Sequence, residues 1–325
     1  MNNNYVVITS IFEPTDAVRS FADNPDFKVI VVGDKKSPDA YNCPQVDFLS
    51  WRTQEKLGYK LISVLPYNHY CRKMIGYLHA IKKGADIIID TDDDNIKKPH
   101  FIIPEFSGNF KAITGNKGMV NIYELYTDEK IWPRGLPLRL INAKTIADED
   151  IVTGFLDVGI WQGLADEDPD VDAIYRLTDG KKVMFNSFGT IVLNEGSISP
   201  FNSQNTIIRK ELFALLYLPS TVTFRFTDIL RGLVAQPIMW AAGYKLGFTD
   251  ATVVQERNPH DFSKDFESEI PMYLYTDKVI DLCIQQTSCS KSITDNLYDA
   301  YVQLEKHGIV MADEITLLNA WLSDL

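Results

Sequence analysis

Cysteine is scarce in this chain, with four residues in 325, and none of them stands in a CxxC pair. Cys43, Cys71, Cys283 and Cys289 show no disulfide-like spacing, so reduced thiols in a cytoplasmic protein are the expectation. Histidine is almost as rare, with five residues and no HExxH pattern. There is no GxSxG elbow and no Walker glycine loop either, so zinc-protease, hydrolase and P-loop readings have no support. Basic residues are outnumbered 32 to 44, for a net charge of −12. That excludes a broad nucleic-acid surface, because phosphate backbones are held by accumulated Lys and Arg. A local basic pocket for a few phosphates stays open. No apolar run approaches the roughly 18 residues of a membrane span. The start, Met1-Asn-Asn-Asn-Tyr5, lacks a basic stretch followed by an apolar run, so no signal peptide is visible. Internal repeats, low-complexity tracts and heptads are absent as well.

What is present is ordinary globular composition, 45% hydrophobic and 23% charged. It suffices for one large α/β domain and a smaller appendage. Residues 5–11, 28–33 and 86–90 are short β-branched runs bounded by polar turns, as in buried strands of a parallel sheet. Thr15 is positioned to cap a short helix reaching residue 22. A clearer helix spans about residues 68–83, where Met74, Ile75, Leu78 and Ile81 share a face. Lys82, Lys83 and Gly84 suit its C-terminus. The first 95 residues therefore read as β-α-β-α-β. A further strand is expected at 221–226, leading into an apolar helix at about 228–242. After about Met272 the pattern turns helical, with Leu297, Tyr301 and Leu304 on one face. The domain reading is 1–271 for the main α/β unit and 272–325 for the helical appendage.

In a doubly wound sheet, ligands bind at the carboxyl ends of the strands. Here those ends carry Thr9 and Ser10, then Gly33, Asp34 and Lys35, and then the run Asp90-Thr-Asp-Asp-Asp-Asn95. Four aspartates within five positions repel one another unless water or a cation screens them. Mg²⁺ favours one or two carboxylates together with waters and substrate phosphates. Asp92 and Asp94 are the candidate metal pair and Asp93 a donor contact; a solvated acidic loop is the alternative. Arg72 and Lys73 lie near a helix N-terminus, where basic side chains oppose the macrodipole unless an anion binds there. They are either ligands of a donor pyrophosphate or solvent-facing residues. Asp34 and Lys35 suit a nucleoside or form a surface turn. The acidic run at 166–172 fails the EF-hand pattern, which leaves Asp170 and Asp172 as substrate-facing groups or a plain turn. Asp228 opens the expected helix and is either its N-cap or a general base. His260, in a polar loop, is a possible third metal ligand.

Several of these stretches together resemble one family, the STELLO-type glycosyltransferases. They include Leu65-Pro-Tyr-Asn-His-Tyr-Cys-Arg-Lys-Met-Ile-Gly-Tyr77, the aspartate run, Asp168-Pro-Asp-Val-Asp172, Pro200-Phe-Asn-Ser-Gln-Asn-Thr206, Phe224-Arg-Phe-Thr-Asp-Ile-Leu-Arg-Gly232 and Arg257-Asn-Pro-His260. The likeness covers about residues 5–275 in unbroken motif order. It implies a GT-A fold, a Rossmann-like nucleotide-binding half on a mixed central sheet, followed by the helical appendage. It also implies metal-dependent transfer, with Mn²⁺ or Mg²⁺, of a sugar from a nucleotide-sugar donor, a UDP-sugar, to an acceptor hydroxyl with inversion. By the same resemblance Asp92 and Asp94 form a DxD-type site, Arg72 touches the donor phosphates and Asp34 the nucleoside. Asp228, followed by Arg231, is then similar to the base motif of inverting enzymes. Asn202, Gln204 and Arg231 join Asp170 and Asp172 as acceptor-side candidates. The plant members carry an N-terminal membrane anchor and work in the Golgi, so their compartment and acceptor are not carried over. A weaker likeness to plant UDP-arabinopyranose mutases through the triple aspartate keeps a mutase or nucleotidyltransferase as the alternative, beside a non-catalytic nucleotide-sugar-binding scaffold. A homo-oligomer stays open.

Overall fold

The computed structural model describes residues 3–257 and 261–325. Its organising element is a mixed sheet, ten-stranded among the described residues, in the order β3-β2-β1-β4-β11-β8-β6-β9-β12-β5. The first four of these are β1 (Asn4–Thr9), β2 (Lys28–Val32), β3 (Val46–Leu49) and β4 (Ile87–Thr91), and they run parallel. Next in sequence are β5 (Asn95–Lys97), β6 (Ser107–Ile113) and β7 (Gly118–Met119). The long β8 (Ile151–Asp166), β9 (Ile191–Leu193), β10 (Ser197–Ile198), β11 (Asn205–Arg209) and β12 (Lys245–Gln255) complete the set. β7 and β10 pair in a separate small sheet. The sheet changes sense where β11 lies antiparallel against β4.

The helices are α1 (Asp16–Ala22), α2 (Trp51–Gln54), α3 (Lys73–Lys82), α4 (Ala173–Thr178), α5 (Thr227–Ala241), α6 (Phe262–Gln286), α7 (Ile293–Lys306) and α8 (Asp313–Asp324). Both faces of the parallel half are covered, which is why its strands are apolar without alternation. Val6 and Ile8 of β1 pack in the core shared with Val18 and Phe21 of α1. Tyr5 and Val7 point the other way, into the core containing Met74 and Leu78 of α3. Gly76 permits that contact, since a Cβ there would lie 2.5 Å from Val32 and 2.6 Å from Val7.

The helix at Thr15 forms as expected, with the Thr15 hydroxyl accepting from the Val18 amide. The expected helix at 68–83 divides into a 3-10 turn, Tyr70–Arg72, and α3 proper. Val46–Leu49 adds a strand that the β-α-β-α-β reading lacked. The expected strand at 221–226 is not one: those residues form turns ahead of α5. The Thr221 and Arg225 amides are taken by side chains of the C-terminal helices instead of by a ladder. α6 runs without interruption across residue 271, despite Pro271 within it. Leu297, Tyr301 and Leu304 are buried together on α7, as the periodicity predicts. No helix among the described residues is long and apolar enough to cross a membrane.

Candidate active site

The carboxyl ends of β1, β2 and β4 open into one cavity of about 370 Å³. Thr9, Ser10, Gly33, Asp34 and the Asp92–Asp94 loop form one wall; Arg134, Asp170, Gln204, Arg225 and Asp228 stand across from it. The placement follows from topology, because a parallel sheet directs its strand-end loops to one edge.

The aspartate run divides by environment. Asp90 is still within β4 and fully buried, 2.6 Å from Lys73 and 2.7 Å from Arg231. Burial alone would push its pKa up, but the two cations outweigh burial and hold it below the usual carboxylate range. Asp92 sits 2.9 Å from the same Lys73 ammonium and accepts from the Tyr70 hydroxyl at 3.1 Å. Asp93 takes the Ser10 hydroxyl, while its carbonyl takes that of Thr15 at 2.7 Å. Asp94 accepts from Gln255 at 3.0 Å through one oxygen, and its other oxygen is buried with no hydrogen-bond partner. Burial, with Asp92 and Asp93 close by, raises its pKa to about 7. A buried acceptor left bare costs about 1–3 kcal/mol, so the Asp94 oxygen fits a cation or donor that arrives with a ligand.

Among the described residues, no group of three or more His, Cys, Asp or Glu is arranged to hold a metal ion. His260 lies outside the described residues. Lys73 also departs from a free phosphate ligand: its side chain is fully buried and its ammonium is shared between Asp90 and Asp92.

Arg72 lines the cavity. Its guanidinium donates to Gln54, which is itself fixed on the carbonyls of Gly33 and Leu49. The plane lies over the Tyr67 ring, 4.3 Å from its centroid. One nitrogen, Nη1, is buried and unpartnered. Asp34 accepts from the His69 amide at 3.2 Å and the Lys35 amide at 2.7 Å. Lys35 itself turns away from the cavity, its ammonium 3.8 Å from the Tyr67 centroid, and Lys36 takes the place at the wall.

Across the cavity, sequence reasoning missed the central residue. Arg134 donates to both oxygens of Asp170, each at 2.8 Å, and to both of Asp228, at 3.1 and 2.9 Å. Its only sequence signal was its place in Trp132-Pro-Arg-Gly135, within an irregular segment. Burial opposes ionisation of Asp170, yet Arg134 and then Arg225 hold its pKa well below the usual range. Asp228 is not the cap of α5: Phe226 occupies that position without a side-chain bond. Its oxygens also accept from the amides of Ile229 and Ser203.

Three acceptor-side candidates sit behind the wall. Asp172 caps α4 through the Tyr175 amide at 2.9 Å and accepts from Trp132 at 2.8 Å. Asn202 donates to Asp170 at 2.7 Å, and Arg231 is spent on Asp90 and on the Asn202 carbonyl. Phe224, 56% exposed, and the buried Arg225 also line the cavity; the sequence marked their stretch as a motif but gave neither residue a role of its own.

Comparison with known proteins points to the same family as the motifs, but it extends past residue 275 into the C-terminal helices that the resemblance left out. A family model described as STELLO glycosyltransferases matches residues 225–325. Two proteins of Arabidopsis thaliana, "Probable glycosyltransferase STELLO2" and "Probable glycosyltransferase STELLO1", are 27% and 28% identical to the chain, over 99% of its length. The chain spans 44% of each of these relatives. A solved structure described as "Crystal Structure of a Mycobacterial Protein" aligns with 85% of this chain and 73% of its own, at 10% identity and a TM-score of 0.39. The family match and the two relatives support the STELLO-type family.

Proposed function

We propose that this STELLO-type chain is a glycosyltransferase that moves a sugar from a nucleotide-diphosphate donor to an acceptor hydroxyl. The observation that carries this reading is a single cavity with a nucleotide-suited wall at the strand ends and a carboxylate-bearing wall opposite. Asp34 would face the nucleoside of a UDP-sugar, with Thr9 and Ser10 beside it. Arg72 would meet the diphosphate, because its unpartnered Nη1 is a buried donor lacking an acceptor.

Asp92 and Asp94 would hold Mn²⁺ or Mg²⁺ together with the donor phosphates; the bare Asp94 oxygen supports this. Few carboxylates are needed when the substrate supplies the remaining oxygens. The cation would offset charge developing on the leaving diphosphate. Lys73 keeps Asp92 oriented from behind, and Gln255 does the same for Asp94.

Asp228 would take the acceptor proton from the side opposite the diphosphate, giving inversion. Arg134 and the Ser203 amide fix the carboxylate so that it meets the acceptor without reorganising. Asp170 and Gln204 would shape the acceptor pocket beside it.

Calorimetric titration with a panel of nucleotide sugars, with and without Mn²⁺, tests the donor half. The expected result is Mn²⁺-dependent binding of one donor that disappears in Asp94→Asn. Transfer assays on Asp228→Asn test the other half, with turnover falling at least a hundredfold while donor affinity holds. Donor binding by the wild type without transfer to any acceptor would favour a mutase or a binding scaffold.

A further inference from the structure

Residues 217–226 carry Phe224 and Arg225 to the mouth of the cavity, yet this loop has no ladder of its own. Cys71 and Thr227 donate to its Pro219 carbonyl and its Leu218 amide meets the Met74 sulfur, but its Ser220, Thr221 and Arg225 amides are held by the C-terminal helices. Glu314, in the first turn of α8, is fully buried. Its carboxyl oxygens accept from the Ser220 amide at 3.0 and 3.1 Å, from the Thr221 amide at 2.7 Å and from the Tyr217 hydroxyl. The Thr221 hydroxyl returns the bond by accepting from the Met311 amide at 3.0 Å.

A second anchor lies on α6. The Ser268 hydroxyl accepts from the Arg225 amide at 3.2 Å, and Glu269 pairs with the Arg225 guanidinium at 2.8 Å. The Arg225 carbonyl in turn accepts from Arg134, which holds Asp228. A continuous set of bonds therefore links the last helix to the carboxylate across the cavity.

A carboxyl group removed from water is costly unless other donors replace the water. Every donor described for the Glu314 side chain belongs to the loop, so that cost is offset only when the loop is in place. Leu317, Leu318 and Trp321 already bury the apolar face of α8. The carboxyl is not needed for that packing.

We propose that Glu314 is a positioning residue for the acceptor side of the site. It sets the 217–226 loop and, with Glu269, presents Phe224 and Arg225 to the incoming acceptor. The acceptor role rests on the transferase reading above; the control of the loop does not.

Glu314→Gln tests it, because the amide sets an N–H donor against the loop's own N–H groups. Thr221→Val is a milder variant that removes only the hydroxyl contact. Leu318→Ala is the control, since it opens a cavity in the same helix while leaving the Glu314 carboxyl and its bonding partners in place. Hydrogen exchange at residues 217–226 and steady-state transfer kinetics are measured on the full chain. Both test variants should exchange the Ser220 and Thr221 amides at least tenfold faster, with β1 and β4 unchanged. Acceptor KM should rise at least fivefold while donor affinity stays within twofold. Leu318→Ala should lower Tm and leave the loop's exchange and the acceptor KM at wild-type values. Loop exchange in the test variants no faster than in Leu318→Ala would overturn the proposal. Faster exchange with unchanged acceptor KM would remove the acceptor role. If the wild type transfers no sugar, the transferase reading fails and the exchange comparison still decides whether Glu314 sets the loop.

Discussion

Arg134 stands 2.9 Å from the Asp228 carboxylate while its other edge grips Asp170, so one guanidinium holds two buried acids in register. Removing it strips both carboxylates of their nearest cation and leaves Asp170 with Arg225 at 3.9 Å. Arg134→Met should destabilise the protein by about 3–5 kcal/mol, since breaking a buried pair from one side strands the other charge. Arg134→Lys should fall between, because an ammonium is a compact point charge without the guanidinium's planar fork. Urea denaturation of both variants checks the order; equal midpoints for wild type and Arg134→Met would contradict the bridging role.

Arg72 offers a different outcome, because its Nη1 is buried without a partner and the proposed donor diphosphate would supply one. Arg72→Met should weaken nucleotide-sugar binding by about 1.5–3 kcal/mol, the range for a hydrogen bond to a charged group. Its partner Gln54 would lose an internal donor, so a small drop in Tm is expected as well. Calorimetry on the donor identified for the wild type measures the first effect, and unchanged affinity would remove Arg72 from the phosphate site.

Asp172 provides a pH signature far from the aspartate loop. Burial raises its pKa from 3.8 to about 6, with the Tyr175 amide and Trp132 only partly opposing. A folded pKa above the unfolded one means the native state binds the extra proton. Native stability is therefore lost as pH rises from about 4 to about 6, by up to about 3 kcal/mol. Asp172→Asn cannot titrate and still caps a helix well. Its stability relative to wild type should improve over that window, which paired thermal melts at pH 4, 5, 6 and 7 would record.

Gly76 tests the packing of α3 on the sheet. A methyl group there would meet Val32 and Val7 at 2.5 and 2.6 Å, closer than the core can absorb without moving. Gly76→Ala should cost about 1–3 kcal/mol through overpacking, despite alanine's better helix propensity. A stabilised variant would show that α3 can lift from β1 and β2 freely.

These residues also show how much of the molecule was legible in its sequence. β1, β2 and β4 were readable because a strand buried on both faces needs an unbroken apolar run, and the aspartates followed from where such strands end. Residues 221–226 carry the composition of a strand, but their hydrogen bonds go to Glu314 and Ser268, over 40 residues away. Local composition does not encode partners at that distance. Arg134 was hidden for the same reason: an arginine in an irregular segment has no period to betray its target. Asp172 carried a usable signal, since an aspartate three residues before a tyrosine amide is an ordinary helix cap. Lys73 was correctly picked out as unusual near a helix start. What it answers is the charge of Asp90 and Asp92 beneath it, where an anion had been the expectation.

α6 carries Glu269 toward its beginning, against Arg225, and Cys283 near its end in the core shared with α7. One helical rod thus both braces Arg225 in the pocket wall and frames the terminal bundle. Trimming the last fifty residues in search of a smaller folded unit would cut through that rod, and would loosen the brace on Arg225 along with the bundle.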